Sequence, residues 1–161
     1  MKLLTYFFGT VFGIGYIPLA PGTIASVLAT CAYYFSVKSF GLNDLKFNFL
    51  LIVLFFLGII AGDFIEKDGK VKDPSFVVID EVVGIMVTFW GLPIKDDVNF
   101  LYYVIAGCVL FRFFDILKPY PIRVLDTVRG GIGIMSDDFV AGMFSNFILK
   151  IAFFIIHVYY G

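Results

Sequence analysis

Long apolar stretches separated by short polar joints dominate this sequence and decide most of what it can fold into. They span residues 23–37, 47–65, 76–92, 98–117 and 139–160. Each is close to the roughly 17–25 residues with which an α-helix crosses the hydrocarbon of a bilayer. Lipid offers no partner to open backbone groups, so such segments fold as helices. The sequence therefore predicts an all-α, polytopic transmembrane bundle with about five spans, or four if the short first stretch only dips into the membrane.

The composition supports a membrane setting and a single domain. Of the 161 residues, 60% are hydrophobic and 16% are charged, against about 45–50% and about 25% in an ordinary soluble domain. So small a domain cannot hide that excess from water, and much of its surface must face lipid. The net charge of −1 offers no electrostatic attraction for nucleic acid. Because the sequence has neither an internal repeat nor a low-complexity tract, residues 1–161 are expected to form one integral-membrane domain.

The first residues resemble a signal peptide only superficially. Lys2 precedes an apolar stretch, but Gly9, Gly13 and Gly15 interrupt it, and no small-residue cleavage site follows. About 15 residues precede Pro18, which is short of the roughly 20 that a span needs. We therefore expect an interfacial or re-entrant segment at the N-terminus.

The distribution of basic residues predicts the orientation. In a five-span chain, one side holds most of them: Lys2, Lys67, Lys70, Lys72, Lys118, Arg123 and Arg129. The other side holds only Lys38, Lys46 and Lys95. Cytoplasmic loops carry the excess of lysine and arginine, so the first side is predicted to be cytoplasmic.

This topology brings the intramembrane acids to one depth near the cytoplasmic face. Asp80 and Glu81 lie about one turn into the third span, and Asp115 ends the fourth, while Asp137 and Asp138 open the fifth. An ionised group at mid-membrane costs roughly 2.5–3.5 kcal/mol even on the lenient scale, so intramembrane acids generally mark functional sites. The alternatives are a polar pair that ties helices together and, for one of the last two acids, a helix cap.

The residue types around these acids indicate a metal site for phosphate chemistry. Carboxylates without histidine or cysteine partners suit Mg²⁺ or Mn²⁺ rather than zinc. Arg112 shares a helix face with Asp115 and needs a buried anion, which is either that acid or a phosphate. Basic groups beside a carboxylate-bound metal are the usual equipment of phosphoryl transfer. His157, the only histidine, lies near the far end of the last span, which excludes a phosphohistidine mechanism.

Three glycines stand just before the last acids. Gly130, Gly131 and Gly133 could form a backbone amide nest for phosphate. A flexible connector explains them equally well, and the sequence does not decide between the two.

Four segments of the chain resemble the phosphatidylglycerophosphatase A family in order and approximate spacing. They read PGTIAS, VVIDEVVG, FRFFDILKPYPI and GGIGIMSDDFVAG. The resemblance implies a bacterial inner-membrane enzyme that uses Mg²⁺ to hydrolyse phosphatidylglycerophosphate to phosphatidylglycerol and phosphate, at the cytoplasmic face.

The resemblance also implies roles for individual residues. The implied metal ligands are Asp80, Glu81, Asp115, Asp137 and Asp138. The implied catalytic acids are Asp80, Glu81, Asp115 and Asp138. The implied phosphate-binding residues are Arg112, Lys118 and Arg123. Thr23, which opens the first apolar stretch at the same depth, is a fourth candidate for binding the phosphate. Attack by water and formation of a phosphoaspartyl intermediate both stay open.

Two other functions compete with a phosphatase. A CDP-alcohol phosphatidyltransferase also uses intramembrane acids and a divalent metal, but its DGxxAR signature is missing from this sequence. A cation-coupled transporter would carry its acids near the midplane and usually shows repeats. Neither feature is visible here, so a lipid phosphatase is the favoured interpretation.

Overall fold

Helices make up the whole of the regular structure in the part of the chain that the computed structural model describes, residues 2–40, 44–92 and 99–160. They are α1 (Lys2–Gly9), α2 (Pro21–Phe40), α3 (Asp44–Gly69), α4 (Ile79–Thr88), α5 (Phe100–Leu117), α6 (Ile122–Leu125) and α7 (Gly130–Tyr160), with a 3-10 turn at Ile14–Tyr16. The predicted all-α bundle is confirmed.

Three of these helices are long and apolar enough to cross a membrane, which is fewer than the predicted number of about five. They are Leu45–Gly69 in α3, Phe100–Leu117 in α5 and Gly130–Ile156 in α7. The helix α2 has twenty residues, but its hydroxyl groups, tyrosines and Lys38 lower its apolarity. The helix α4 has only ten residues, so it extends about 15 Å in a hydrocarbon layer of about 30 Å.

The short helix α4 is the buried centre of the bundle, enclosed by α2, α3, α5 and α7. Eight of its ten residues are buried. Its C-terminal end is capped from α7, where Asn146 Nδ2 donates hydrogen bonds to Thr88 O at 2.9 Å and Trp90 O at 2.8 Å. A helix that ends inside the protein is tolerated because its last carbonyl groups find partners there.

Small residues set the spacing between the helices that meet at α7. A Cβ added at Gly142 would overlap Gly84 O, so α7 and α4 touch backbone to backbone there. Likewise, a Cβ at Gly131 would overlap Ile59 O, where α7 crosses α3. Close approach at small residues is the usual way in which membrane helices pack. It brings the N-terminal parts of α4 and α7 side by side.

One end of the bundle gathers most of the described basic residues, as the orientation argument expects. Lys2 Nζ pairs with Asp68 Oδ2 at 2.7 Å and thereby ties the N-terminal helix α1 to α3. Lys72 Nζ donates to Asp126 O at 2.6 Å. At the opposite end, Lys38 Nζ lies 5.4 Å from the centroid of a phenylalanine ring of α5. Lys95, also assigned to that side, lies outside the described residues.

The N-terminal segment has the form expected of an interfacial element. The helix α1 has eight residues, far too few to cross a bilayer. Its outer face leaves Leu3, Leu4 and Phe7 exposed, while Gly9 is buried against α3. An apolar face beside a charged end is typical of a helix that lies at the membrane surface.

Candidate active site

A polar pocket of about 290 Å³ opens at the basic end of the bundle, among α2, α4, α5 and α7. It collects most of the acids and bases that the sequence argument singled out. Its charged lining consists of Asp73, Asp80, Glu81, Arg112, Asp115, Lys118, Asp137 and Asp138. Thr23, Ser75, Val77 and residues 20–22 complete the lining. The pocket therefore joins residues that are up to 118 positions apart in the chain.

Three carboxylates lie closest together at the bottom of this pocket. One oxygen each from Asp80, Glu81 and Asp138 lies within 4.8 Å of the other two. The first two acids occupy the first turn of α4, and the third reaches them across the close crossing with α7. Asp80 and Asp138 are 8% and 3% exposed. Two buried acids and one partly buried acid at such distances repel each other unless a positive charge compensates them.

This carboxylate cluster fits a divalent cation. Asp80 Oδ1 and Glu81 Oε2 are buried and have no hydrogen-bond partner in the described part of the chain. Buried carboxylate oxygens without partners are rare, because each loses its hydration without compensation. All the donors are hard oxygen atoms, and a single ion between them would satisfy them together. The cluster is therefore able to hold a metal ion.

Arg112 is held over the cluster by a network of neighbours. Its Nη1 pairs with Asp115 Oδ2 at 2.6 Å and lies 4.0 Å from Glu81 Oε1. The same nitrogen donates to the hydroxyl of Ser26 at 3.4 Å, and that hydroxyl donates to Gly22 O at 2.8 Å. The Nε atom is buried and has no partner among the described residues. The guanidinium group thus keeps its Nε donor unpaired among the described residues, next to the pocket that Arg112 lines.

Gly22, the second residue of α2, leaves room for the carboxylate of Glu81. A Cβ added at Gly22 would overlap Glu81 Oε1 and lie 3.4 Å from Arg112 Nη1. In the segment PGT, the missing side chain of the glycine thus makes space for the carboxylate of Glu81 beside Arg112. Thr23, the next residue, is exposed at the rim of the pocket.

Lys118 is shared between two acids on the other side of the pocket. It lies just beyond the end of α5 and pairs with Asp126, and its Nζ also lies 2.7 Å from Asp137 Oδ2. Burial by itself lowers the pKa of this amine, but the hydrogen bonds with the two acids outweigh that effect and raise the pKa above its ordinary value. The ammonium group therefore stays charged throughout the physiological range.

The sequence comparisons agree with this geometry. The family description that matches the chain is phosphatidylglycerophosphatase A, over residues 7–153. The chain belongs to the phosphatidylglycerophosphatase A family. The matched range includes every residue of the polar pocket, and the resemblance inferred from four sequence segments is confirmed. Membership makes the chain a lipid phosphatase, an enzyme of the hydrolase class.

Three relatives show how closely the chain follows the family. A Bacteroides thetaiotaomicron protein, provisionally named phosphatidylinositol-3-phosphatase, is 40% identical over 159 residues, 96% of this chain and 97% of its own. Phosphatidylglycerophosphatase A of Escherichia coli is 38% identical over 143 residues, 86% of this chain and 77% of its own. The Haemophilus influenzae protein of the same name is 34% identical over 135 residues, 83% of this chain and 79% of its own. No solved structure matches the chain significantly.

Two of the sequence-based assignments lie elsewhere in the structure. Arg123, carried over from the family as a phosphate-binding residue, is exposed on α6 and does not line the pocket. The glycines Gly130, Gly131 and Gly133 begin α7, and the second of them packs against Ile59 O of α3. Close helix packing therefore explains this run, in place of a phosphate nest or a flexible connector.

Several residues of the site escaped the sequence argument. Asp126 anchors Lys118, Asp73 lines the pocket, and Ser26 contacts Arg112. Both acids stand in polar joints, where a carboxylate carries no burial cost and so gives no signal. Asp126 was nevertheless accessible to inference, because it lies in the same polar joint as Lys118, eight residues further along the chain.

Proposed function

We propose that this chain hydrolyses phosphatidylglycerophosphate to phosphatidylglycerol and inorganic phosphate at the cytoplasmic face of the bacterial inner membrane. The observation that carries the proposal is the cluster of Asp80, Glu81 and Asp138 directly beside Arg112. A metal ion held by carboxylates next to a guanidinium group is suited to a phosphate ester, because both positive charges neutralise the phosphate. Family membership supports the reaction type, and the relatives from E. coli and H. influenzae are named for this substrate.

We assign the metal to Mg²⁺, held by Asp80, Glu81 and Asp138. A Mg²⁺ ion prefers a few carboxylates together with phosphate oxygens, and it usually keeps several waters. When bound, such an ion neutralises and orients the phosphoryl group. Asp115 and Asp137 were also expected to be ligands. Their contacts with Arg112 and Lys118 favour a different role for these two acids, which is to position the cationic side chains.

The protein's own residues bind and orient the phosphate. Arg112 lines the pocket and keeps its Nε without a partner among the described residues, and a guanidinium fork matches two phosphate oxygens. Lys118 adds a second positive charge on the opposite wall, and Thr23 offers a hydroxyl at the rim. Fixed charges of this kind act mainly by stabilising the negative charge that redistributes in the transition state.

The dimensions of the site suit a lipid headgroup. At about 290 Å³, the pocket is at the lower limit for ligand sites, about 300–1,000 Å³. It therefore has room for the phosphorylated headgroup but not for the acyl chains. Ile116 and Leu117 leave their side chains exposed on the same end of α5 as Asp115. The acyl chains of the substrate are expected to remain in the bilayer beside these residues.

A panel of phosphomonoester lipids tests the reaction and its substrate together. The purified chain would be supplied with phosphatidylglycerophosphate, phosphatidylinositol 3-phosphate or phosphatidic acid, each with Mg²⁺ or with a chelator. We expect Mg²⁺-dependent phosphate release, fastest from phosphatidylglycerophosphate. Faster release from the inositol lipid would instead assign the activity for which the Bacteroides relative is named. Absence of release from all three lipids would refute the proposed hydrolysis.

A further inference from the structure

A second and larger cleft lies at the same end of the bundle, between α3 and α7. It has a volume of about 790 Å³, which falls within the roughly 300–1,000 Å³ typical of ligand sites. None of the residues that line it also lines the polar pocket. The cleft is therefore a separate feature of the surface, and the proposed catalysis makes no use of it.

The walls of this cleft are apolar and belong to helices that can cross the membrane. Ile60 and Phe64 of α3 are 65% and 39% exposed, and Ile132 of α7 is 61% exposed. At its floor the two helices nearly touch, since a Cβ at Gly62 would lie 3.2 Å from Gly131 Cα. A groove between two spanning helices is open to the acyl chains of the surrounding lipid.

The charged groups around the cleft cancel each other with one exception. Lys67 Nζ lies 2.5 Å from Asp63 Oδ2. Asp68 Oδ2 forms an ion pair with Lys2 Nζ at 2.7 Å, and it also accepts a hydrogen bond from the hydroxyl of Tyr6 in α1. Arg129 has no ion pair or side-chain hydrogen bond among the described residues, although it lines the same cleft. The lining itself holds two acids and two bases, but Lys2, which lies outside the lining, pairs with Asp68. Arg129 is therefore the one lining cation without a partner among the described residues.

We propose that this cleft binds one anionic diacyl glycerophospholipid, with its phosphodiester at Arg129 and an acyl chain along Ile60, Phe64 and Ile132. The single cation at Arg129 matches the single charge of a phosphodiester. A phosphomonoester carries about −1.5 to −2 and would place the excess beside Asp63 and Asp68, so the substrate headgroup is the poorer match. A zwitterionic lipid brings its own cation, which competes with the arginine for the phosphate. The occupant is therefore a lipid such as phosphatidylglycerol.

Native mass spectrometry of the full-length protein in detergent tests this assignment. The protein would be titrated with phosphatidylglycerol or with phosphatidylcholine of the same acyl chains, and lipid-bound species counted. We expect the anionic lipid to bind preferentially. Arg129→Gln should weaken that binding about fivefold, as expected from the loss of one cation near an anionic surface. Arg129→Lys should retain most of it, because the charge is kept.

Matched variants separate this cleft from other sites for the same lipid. Lys70→Gln removes an exposed cation that does not line the cleft, and it should leave the binding unchanged. Arg112→Gln should also leave it unchanged, which excludes binding of the lipid in the polar pocket. Ile60→Trp fills the groove from its exposed wall and should reduce the binding.

Two outcomes would overturn the proposal. One is equal binding of the two lipids to the unmodified protein, and the other is an Arg129→Gln variant that binds phosphatidylglycerol as the unmodified protein does. Because the readout is bound lipid and not phosphate release, the result is independent of which phosphomonoester the enzyme hydrolyses.

Discussion

Arg112 and Asp115 form an ion pair of 2.6 Å inside the polar pocket, with side chains only 19% and 13% exposed. The two residues lie three positions apart on α5, so their helix holds them in register. The pair points the guanidinium group toward Glu81, 4.0 Å away on α4. The ion pair with Asp115 orients Arg112 over the carboxylate cluster, which explains why both charges lie inside the bundle.

The guanidinium fork of Arg112 should be necessary for turnover. Arg112→Lys keeps the positive charge but loses the planar group that matches two phosphate oxygens. We expect kcat/KM to fall by about a hundredfold, comparable to the removal of a transition-state hydrogen-bond donor elsewhere, with the Tm nearly unchanged. Steady-state phosphate release and thermal unfolding provide the two measurements.

Exchanging the charges of the pair distinguishes catalysis from scaffolding. If Arg112 and Asp115 only held α5 in place, the double variant Arg112→Asp with Asp115→Arg would recover activity, because a structural pair can be reversed. We expect it to remain inactive, since the reversed pair places an acid where the phosphate binds. Turnover regained in the double variant would remove both residues from the site.

The thermal stability of the protein should depend on Mg²⁺ only while the carboxylate ligands are intact. The acids of the cluster repel each other without an ion, so Mg²⁺ should raise the Tm of the unmodified protein. Asp80→Asn or Asp138→Asn should abolish this Mg²⁺-dependent rise and lower activity by more than about a hundredfold. In the presence of a chelator, the same variants should unfold no earlier than the unmodified protein, because one repelling charge is gone.

Asp68→Asn is the matched control for the metal ligands. Its carboxylate lies outside the polar pocket and contacts Lys2 and Tyr6 instead. The Mg²⁺-dependent rise in Tm should persist in this variant. An equal loss of the rise in Asp68→Asn would show that Mg²⁺ acts on surface charge and not on the cluster.

The position of the acids could be predicted from sequence, whereas the length of their helix could not. Asp80, Asp115 and Asp138 each stand near the basic end of an apolar stretch, and that regularity alone places them at one depth. The end of α4 depends on Asn146, which is 58 residues away from Thr88 in the chain. A local pattern contains no information on such a contact, so residues 76–92 were predicted to form a complete span.

Long-range contacts also give the glycine run and Lys118 partners that the sequence did not predict. The run of Gly130, Gly131 and Gly133 suggested a backbone amide nest or a flexible connector, but these residues begin α7, and Gly131 faces the backbone of Ile59 on α3. Lys118 was predicted to bind phosphate directly, and the structure adds that Asp126 and Asp137 hold it. Composition predicts which residues are chemically able to act, but the tertiary fold decides which partner each of them finds.

Asp126 should act by positioning Lys118. Asp126→Asn removes one of the two acids that hold the ammonium group, so Lys118 should lose its fixed position at the pocket. A half-exposed pair of this kind contributes up to about 1 kcal/mol, which predicts a fall in kcat/KM of roughly fivefold. Lys118→Gln should cause a larger loss. If Asp126→Asn proved more harmful than Lys118→Gln, a direct role for the acid would be indicated.

Cysteine labelling in intact cells should reveal the orientation. Lys70 lies at the basic end and Lys38 at the opposite end of the bundle, against the phenylalanine at the start of α5. A membrane-impermeant thiol reagent added outside should modify Lys38→Cys but not Lys70→Cys, which should react only after lysis. The native Cys31 and Cys108 lie within apolar helices, and the unmodified protein serves as their control. Labelling of both variants from outside would contradict a cytoplasmic active site.

The close crossing of α4 and α7 should be as important to activity as the acids themselves. A Cβ at Gly142 would overlap Gly84 O, and backbone atoms cannot move aside as a flexible side chain does. Gly142→Ala should therefore separate the two helices, lower the Tm and pull Asp138 away from Asp80. Gly69→Ala is the matched control, because a Cβ there meets no heavy atom within 4 Å. Gly69→Ala should leave activity and the stabilisation by Mg²⁺ intact, whereas Gly142→Ala should weaken both. If Mg²⁺ stabilised Gly142→Ala as much as the unmodified protein, the carboxylate cluster would not depend on the crossing of α4 and α7.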